Sequence, residues 1–125
     1  MDDSEENAFF ASVRNFLREF KEIMGEGQRY IILGHHLKNM ETLVQMGLTV
    51  QQRDDIIRTL KATDYYAGPI ADQYKKGNYW VFGKKTAGVE LYIKLKIATD
   101  GHGNDYAICM SFHQAEFPLK YPLKK

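Results

Sequence analysis

Tyr92, Lys94 and Lys96 alternate with Leu91, Ile93, Leu95 and Ile97 along one stretch of the chain. A period of two is that of a half-buried strand, so the aliphatic set turns to a core and the phenol and two ammoniums share the other face. The stretch from Tyr106 to His113 sorts the same way. Tyr106, Ile108, Met110 and Phe112 form its apolar set, and Ala107, Cys109, Ser111 and His113 form the other. Antiparallel pairing that keeps the two apolar sets together sets Ser111 and His113 beside the Tyr92 end of the basic row. Such a face suits metal-free cleavage of RNA. A base takes the proton of a ribose 2′-OH, cations stabilise the phosphorane, and an acid protonates the leaving 5′-oxygen. Tyr92 and His113 are the candidates for base and acid, and Lys94 and Lys96 for charge stabilisation. Imidazole is the side chain that ordinarily titrates near neutrality, so Tyr92 would need help from the lysines.

The same pattern has other uses. Half-exposed strands alternate aliphatic residues with Lys and Tyr for solubility alone. A basic sheet face also serves a non-catalytic binding module that docks an acidic protein partner. A metal hydrolase would have to be built on His35, His36, His102 and His113, and these include no i,i+4 pair and no cysteine partner. His35 and His36, adjacent on an extended segment, would point to opposite faces, so no metal and no cofactor are expected. Gly83, Gly88, Gly101 and Gly103 fit turns rather than a phosphate loop. Cys109 reads as a small packing residue, not a nucleophile.

The elements that must position these groups follow from periodicity. Phe9, Phe10, Val13, Phe16, Leu17, Phe20, Ile23 and Met24 predict an amphipathic helix over residues 6–24, after a flexible start over residues 1–6. Tyr30 to Leu33 suggests a short strand. A helix fits Leu37 to Met46 with Met40, Leu43, Val44 and Met46 on its buried side. A third begins at Thr49, where Thr49 and Gln52 have capping-box spacing, and buries Val50, Ile56, Ile57 and Leu60. From Thr63 to about Asn78, Gly68 and Pro69 mark a loop. Tyr79–Lys84, Val89–Ala98 and Tyr106–His113 read as three antiparallel strands joined by short turns, with Trp80 and Phe82 in the core. The tail, residues 114–125, holds Pro118 and Pro122 and is expected to pack on a sheet edge.

The chain of 125 residues is thus expected to be a single α+β domain, with N-terminal helices packed on a three- to four-stranded antiparallel sheet. Hydrophobic residues make up 44% and charged residues 26%, which excludes a disordered chain. Apolar runs such as Ile31-Ile32-Leu33 are too short to cross a bilayer, and the acidic start is unlike a secretion signal, so a cytoplasmic protein with no membrane partner is expected. One cysteine rules out an internal disulfide. The net charge of +1 decides little, but nine lysines from Lys75 onward load the second half with positive charge.

Several runs resemble the motility quorum-sensing regulator (MqsR) toxin family: Leu43-Val44-Gln45-Met46-Gly47-Leu48-Thr49, Asp64-Tyr65-Tyr66-Ala67-Gly68-Pro69 and Tyr79-Trp80-Val81-Phe82-Gly83-Lys84. So do Glu90-Leu91-Tyr92-Ile93-Lys94-Leu95-Lys96 and Cys109-Met110-Ser111-Phe112-His113. The likeness runs from about Tyr30 to Leu119, and its order of elements is that of RelE-like ribonucleases. The resemblance implies a toxin of a type II toxin–antitoxin pair: a sequence-specific, ribosome-independent mRNA endonuclease neutralised by an antitoxin encoded beside it. The family's tyrosine on the middle strand falls on Tyr92, and its basic residue near the end of the last strand falls on His113. A family lysine in the loop after the third helix falls on Ala67, and a glutamine on the first meander strand falls on Val81. The expected catalytic set is Tyr92, Lys94, Lys96 and His113. Lys84, Lys85 and Ser111 are the expected RNA contacts, and the products would end in 2′,3′-cyclic phosphate.

Overall fold

The computed structural model describes residues 2–33 and 37–125; the expectation for His35 and His36 lies outside them. Helix α1 (Asp3–Glu26) buries Val13, Phe16, Leu17, Phe20, Ile23 and Met24, the stripe its spacing predicts. It starts before residue 6 because Asp2 caps it, accepting a bond from Glu5 N at 2.8 Å, and Asp3, Glu5 and Glu6 favour the positive end of the helix dipole. The first residues, expected to be flexible, therefore form a helical turn. Gly27 closes the helix in the left-handed conformation, at φ 79°.

A five-stranded sheet runs in the order β1-β5-β4-β3-β2. Its strands are β1 (Tyr30–Ile32), β2 (Tyr65–Ala71), β3 (Asn78–Thr86), β4 (Val89–Thr99) and β5 (Asp105–Gln114). Strand β1 is parallel to β5 and the other neighbours are antiparallel. The α+β class is as the sequence predicts, with five strands instead of three or four. The additional strand is β2, in the segment read as a loop. Gly68 and Pro69 do break its ladder, with register shifts on both sides of Ala67, but an edge strand tolerates a missing donor.

Helix α2 (Leu37–Met46) turns in only part of the side that apolar spacing predicts: Leu43 and Met46 pack against the core, and Met40 and Val44 do not. Asn39 and Thr42 are its buried residues, whereas Met40 and Val44 are 55% and 81% exposed. The reason lies in β5. Opposite β4, Lys94 pairs with Ser111 but Leu95 pairs with Cys109, so Met110 is an extra, bulged residue. Asn39 Nδ2 donates to Leu33 O at 3.1 Å and to Met110 O at 3.3 Å, and its Oδ1 accepts from Phe112 N at 2.9 Å. Thr42 Oγ1 accepts from Gln114 N at 3.2 Å. Helix α2 thus satisfies the β5 edge beyond the end of β1, where buried donors without partners would cost free energy.

The bulge also changes the phase of β5. Ala107 and Cys109 lie in the core with Phe112, so the two-residue sorting fails before Met110 and holds after it. Helix α3 (Val50–Arg58) starts at the capping box of Thr49 and Gln52. Its Ile57 and the following Leu60 are fully buried, while Val50 is exposed and Arg53 is buried beside Asp54. A 3-10 turn (Ala62–Asp64) leads into β2. On the helix side of the sheet, Phe82, Leu91, Ile93 and Leu95 meet Phe16 and Phe20. Trp80 is half-buried and stacks on Phe16 with centroids 5.1 Å apart.

The tail crosses the open face of the sheet instead of lining an edge. Glu90 holds it, accepting from Leu119 N at 2.9 Å and Tyr121 Oη at 2.8 Å. Gly83 makes room, since a Cβ there would collide with Tyr121 Oη and lie 2.7 Å from Leu119 Cδ1. Leu123 then joins the core, and Lys125 pairs with Glu6 at 2.6 Å. Among the described residues, no helix is long and apolar enough to cross a membrane.

Candidate active site

Because Leu91, Ile93 and Leu95 face the helices, Tyr92 and Lys94 stand on the open face, with His113 and Ser111 directly opposite them on β5. This arrangement is the one the alternation of β4 predicts, and the Met110 bulge sets the end of β5 in the same phase. Val81 joins from β3, where it pairs with Lys94. Strand β2 supplies Tyr66, Ala67 and Ile70, and the tail supplies Glu116 and Phe117. Together these residues line a cleft of about 490 Å³, a size that takes a small ligand.

Tyr92 and His113 are stacked, with centroids 5.1 Å apart and ring planes 14° from parallel. His113 Nδ1 lies 3.0 Å from the Gln114 carbonyl. A carbonyl only accepts, so this contact assigns the ring proton to Nδ1 and leaves the Nε2 lone pair available. Burial raises the Tyr92 phenol above the usual tyrosine range, and Tyr79, Tyr66 and Glu116 push the same way. The phenol is therefore held protonated and is a donor near neutrality. Lys94 Nζ sits over the Tyr79 ring, 4.5 Å from its centroid, which brings a cation to the cleft wall. Glu116 pairs with Lys38 of α2, and that bond, then the lysine's charge, keeps its carboxyl below the usual range.

Lys96 is on the same face but is not free. Its Nζ is 2.8 Å from Asp72 Oδ2, and the two side chains are 3% and 9% exposed. Asp72 also accepts from Tyr74 N at 2.9 Å and Lys75 N at 3.3 Å, so the pair ties the β2–β3 connection to the sheet. The Lys96 hydrogen bond, then that from Tyr74 N, pulls the Asp72 carboxyl down to about 2. Lys84 shares the phase of Phe82, faces the helix side, and pairs with Asp64 at 3.4 Å. Lys85 is exposed and lies opposite Glu90. Lys84 and Lys85 line a separate groove with Asp64, Tyr121 and Lys124. Cys109 is buried, which pushes its thiol up to about 12. Among the described residues, no three His, Cys, Asp or Glu side chains gather closely enough to hold a metal ion.

Tyr66, Glu116 and Phe117, which line the cleft, and Tyr79, under the Lys94 ammonium, are residues that the sequence reading did not single out. The period of β3 could have given Tyr79. Tyr66 lay in a presumed loop, and Glu116 and Phe117 in a tail assigned to an edge.

A helical layer on one face of a mostly antiparallel sheet, with the half-buried, stacked Tyr92 and His113 rings on the other, defines a small α+β domain with one open sheet face. The sequence model of the family described as "Motility quorum-sensing regulator, toxin of MqsA" matches residues 14–114. The chain belongs to that family: it is a toxin of a toxin–antitoxin pair, and its partner is an antitoxin. The match reaches back into α1, which the motif resemblance did not cover. Comparison with curated proteins and with solved structures gave no match.

Proposed function

We propose that this toxin is a metal-independent endoribonuclease acting on mRNA in the cytoplasm, with Tyr92, His113 and Lys94 as its catalytic residues. The stacked Tyr92–His113 pair, set in a cleft beside the Lys94 ammonium, is the observation that carries this reading. His113 Nε2 accepts the 2′-OH proton as the 2′-oxygen attacks phosphorus. The phosphorus–O5′ bond breaks, and the Tyr92 phenol gives its proton to the departing 5′-oxygen. One product ends in 2′,3′-cyclic phosphate and the other in a 5′-hydroxyl. Lys94 stabilises the charge that grows on the non-bridging oxygens, and Ser111, opposite it, offers a hydroxyl to the same group. Lys85 supplies a more distant phosphate contact, so RNA binding weakens as salt rises. Lys96 and Lys84, held in ion pairs, are assigned no chemical step.

The test is incubation of the purified chain with mRNA in EDTA. Cleavage is expected to continue. Cleavage that EDTA abolishes would contradict metal independence. Intact RNA with and without added metal would favour a non-catalytic module that docks its antitoxin through this face. Ala67 and Val81 are the observation on that side, because both line the cleft where the resemblance implies polar residues.

A further inference from the structure

The cleft is divided in composition. Tyr92, Lys94, Ser111 and His113 make a polar half, while Tyr66, Ala67, Ile70, Val81 and Phe117 make an apolar, aromatic half beside it. Val81 is buried beneath this second half, and Phe117 remains 50% exposed although it is a large apolar side chain. Tyr66 and Phe117 lie 6.1 Å apart at 55°, too close and too tilted for a ring to enter between them. Phe117 therefore offers its free face to whatever fills the cleft. Its position is fixed from behind: Glu90 bonds Leu119 N and Tyr121 Oη, and Gly83 lets the tail lie on the sheet.

A nucleotide is divided in the same way. Its ribose and phosphate need cations and hydrogen-bonding groups, and its base needs a flat apolar surface. We propose that the apolar half of the cleft is a nucleobase site, in which one unpaired base of single-stranded RNA stacks on Phe117 above the Ala67 and Val81 floor. This inference rests on the nuclease reading above, because it seats the base next to the ribose that His113 and Tyr92 act on. The substrate class follows. A base within a duplex is already stacked on both faces, so only single-stranded or splayed nucleotides fit. Small apolar side chains at Ala67 and Val81 leave open a floor that longer polar ones would fill.

The test uses short single-stranded RNA with 2′-fluoro riboses, which cannot be cleaved because the attacking hydroxyl is gone, carrying 2-aminopurine at each position in turn. Binding to the wild-type chain is expected to quench the fluorescence at one position. Phe117→Ala, at a half-exposed site, is expected to remove that quench and weaken Kd about tenfold to a hundredfold, the usual effect of losing one stacked base. Phe117→Tyr should restore both. Unchanged Kd and unchanged quench in Phe117→Ala would overturn the base site even if ordinary RNA is cleaved. The expected quench and Kd pattern together with uncleaved ordinary RNA would keep the base site and remove the nuclease reading. Absence of RNA binding by the wild-type chain would overturn both.

Discussion

At the scale of single residues, the site separates groups that the alternation of β4 placed together. Tyr92 and Lys94 line the cleft, whereas Lys96 pairs with Asp72 outside that lining, although all three share one parity. Parity is legible in a sequence, but the presence of Asp72 over Lys96 is not, because it depends on how the β2–β3 connection folds back. Tyr92 illustrates the same limit. The lysine-rich row suggested a lowered phenol pKa, whereas burial raises it, which suits the acid role proposed for it rather than that of a base. A pH profile checks this assignment. Activity should persist into the alkaline range. It should fall only above about pH 10, the ordinary tyrosine value, because ionisation of a raised phenol is postponed to more alkaline pH. A fall beginning near pH 8 would show another group acting as the acid. His113→Ala should lower cleavage by about 10²–10⁴-fold, the usual worth of a positioned base.

At the scale of elements, helix α2 and the β2–β3 connection carry most of what the sequence hid. Half of the apolar spacing of α2, at Met40 and Val44, points outward, because the groups its inner side must satisfy are backbone atoms of β5. Asn39 is the residue to change. Asn39→Ala leaves Phe112 N and Met110 O without their partner, and should cost about 1–3 kcal/mol in urea unfolding, the price of an unsatisfied buried group. The bulge it braces sets the phase of Ser111 and His113, so cleavage should fall further than stability alone explains. Wild-type stability would show that the bulge needs no brace. The Lys96–Asp72 pair gives a second prediction at this scale. The Asp72 carboxyl is pulled down to about 2 in the folded chain and titrates near 3.9 when unfolded. Its stabilising contribution is thus complete above the unfolded value and is lost as pH falls toward 2. Urea midpoints of the wild type should drop across that window more steeply than those of Asp72→Asn. Parallel curves would remove the pair from the stability account.

At the scale of the whole molecule, the α1 stripe, the three meander strands and their turns were legible because periodicity and turn residues agree with the fold. Strand β2 was not, since Gly68 and Pro69 look like a loop until an edge position excuses them. The tail was not, since nothing in Glu90 or Gly83 announces that a segment thirty residues later lies across them. What holds the open face in place is the core beneath it. Phe82 is fully buried among Phe16, Tyr65 and the β4 aliphatics. Phe82→Ala should cost about 3–5 kcal/mol, measured by urea melts. A loss below about 1 kcal/mol would place Phe82 outside the core.

The most direct test of the central claim compares wild-type chain and Tyr92→Phe on the same RNA in EDTA, with the new ends identified chemically. The substitution removes one hydroxyl from the open face and should leave the fold intact. Wild-type cleavage should give 2′,3′-cyclic phosphate and 5′-hydroxyl ends, and Tyr92→Phe should be slower by about 10²–10⁴-fold. Equal rates, or ends carrying a 5′-phosphate, would contradict RNA cleavage by the Tyr92–His113 pair.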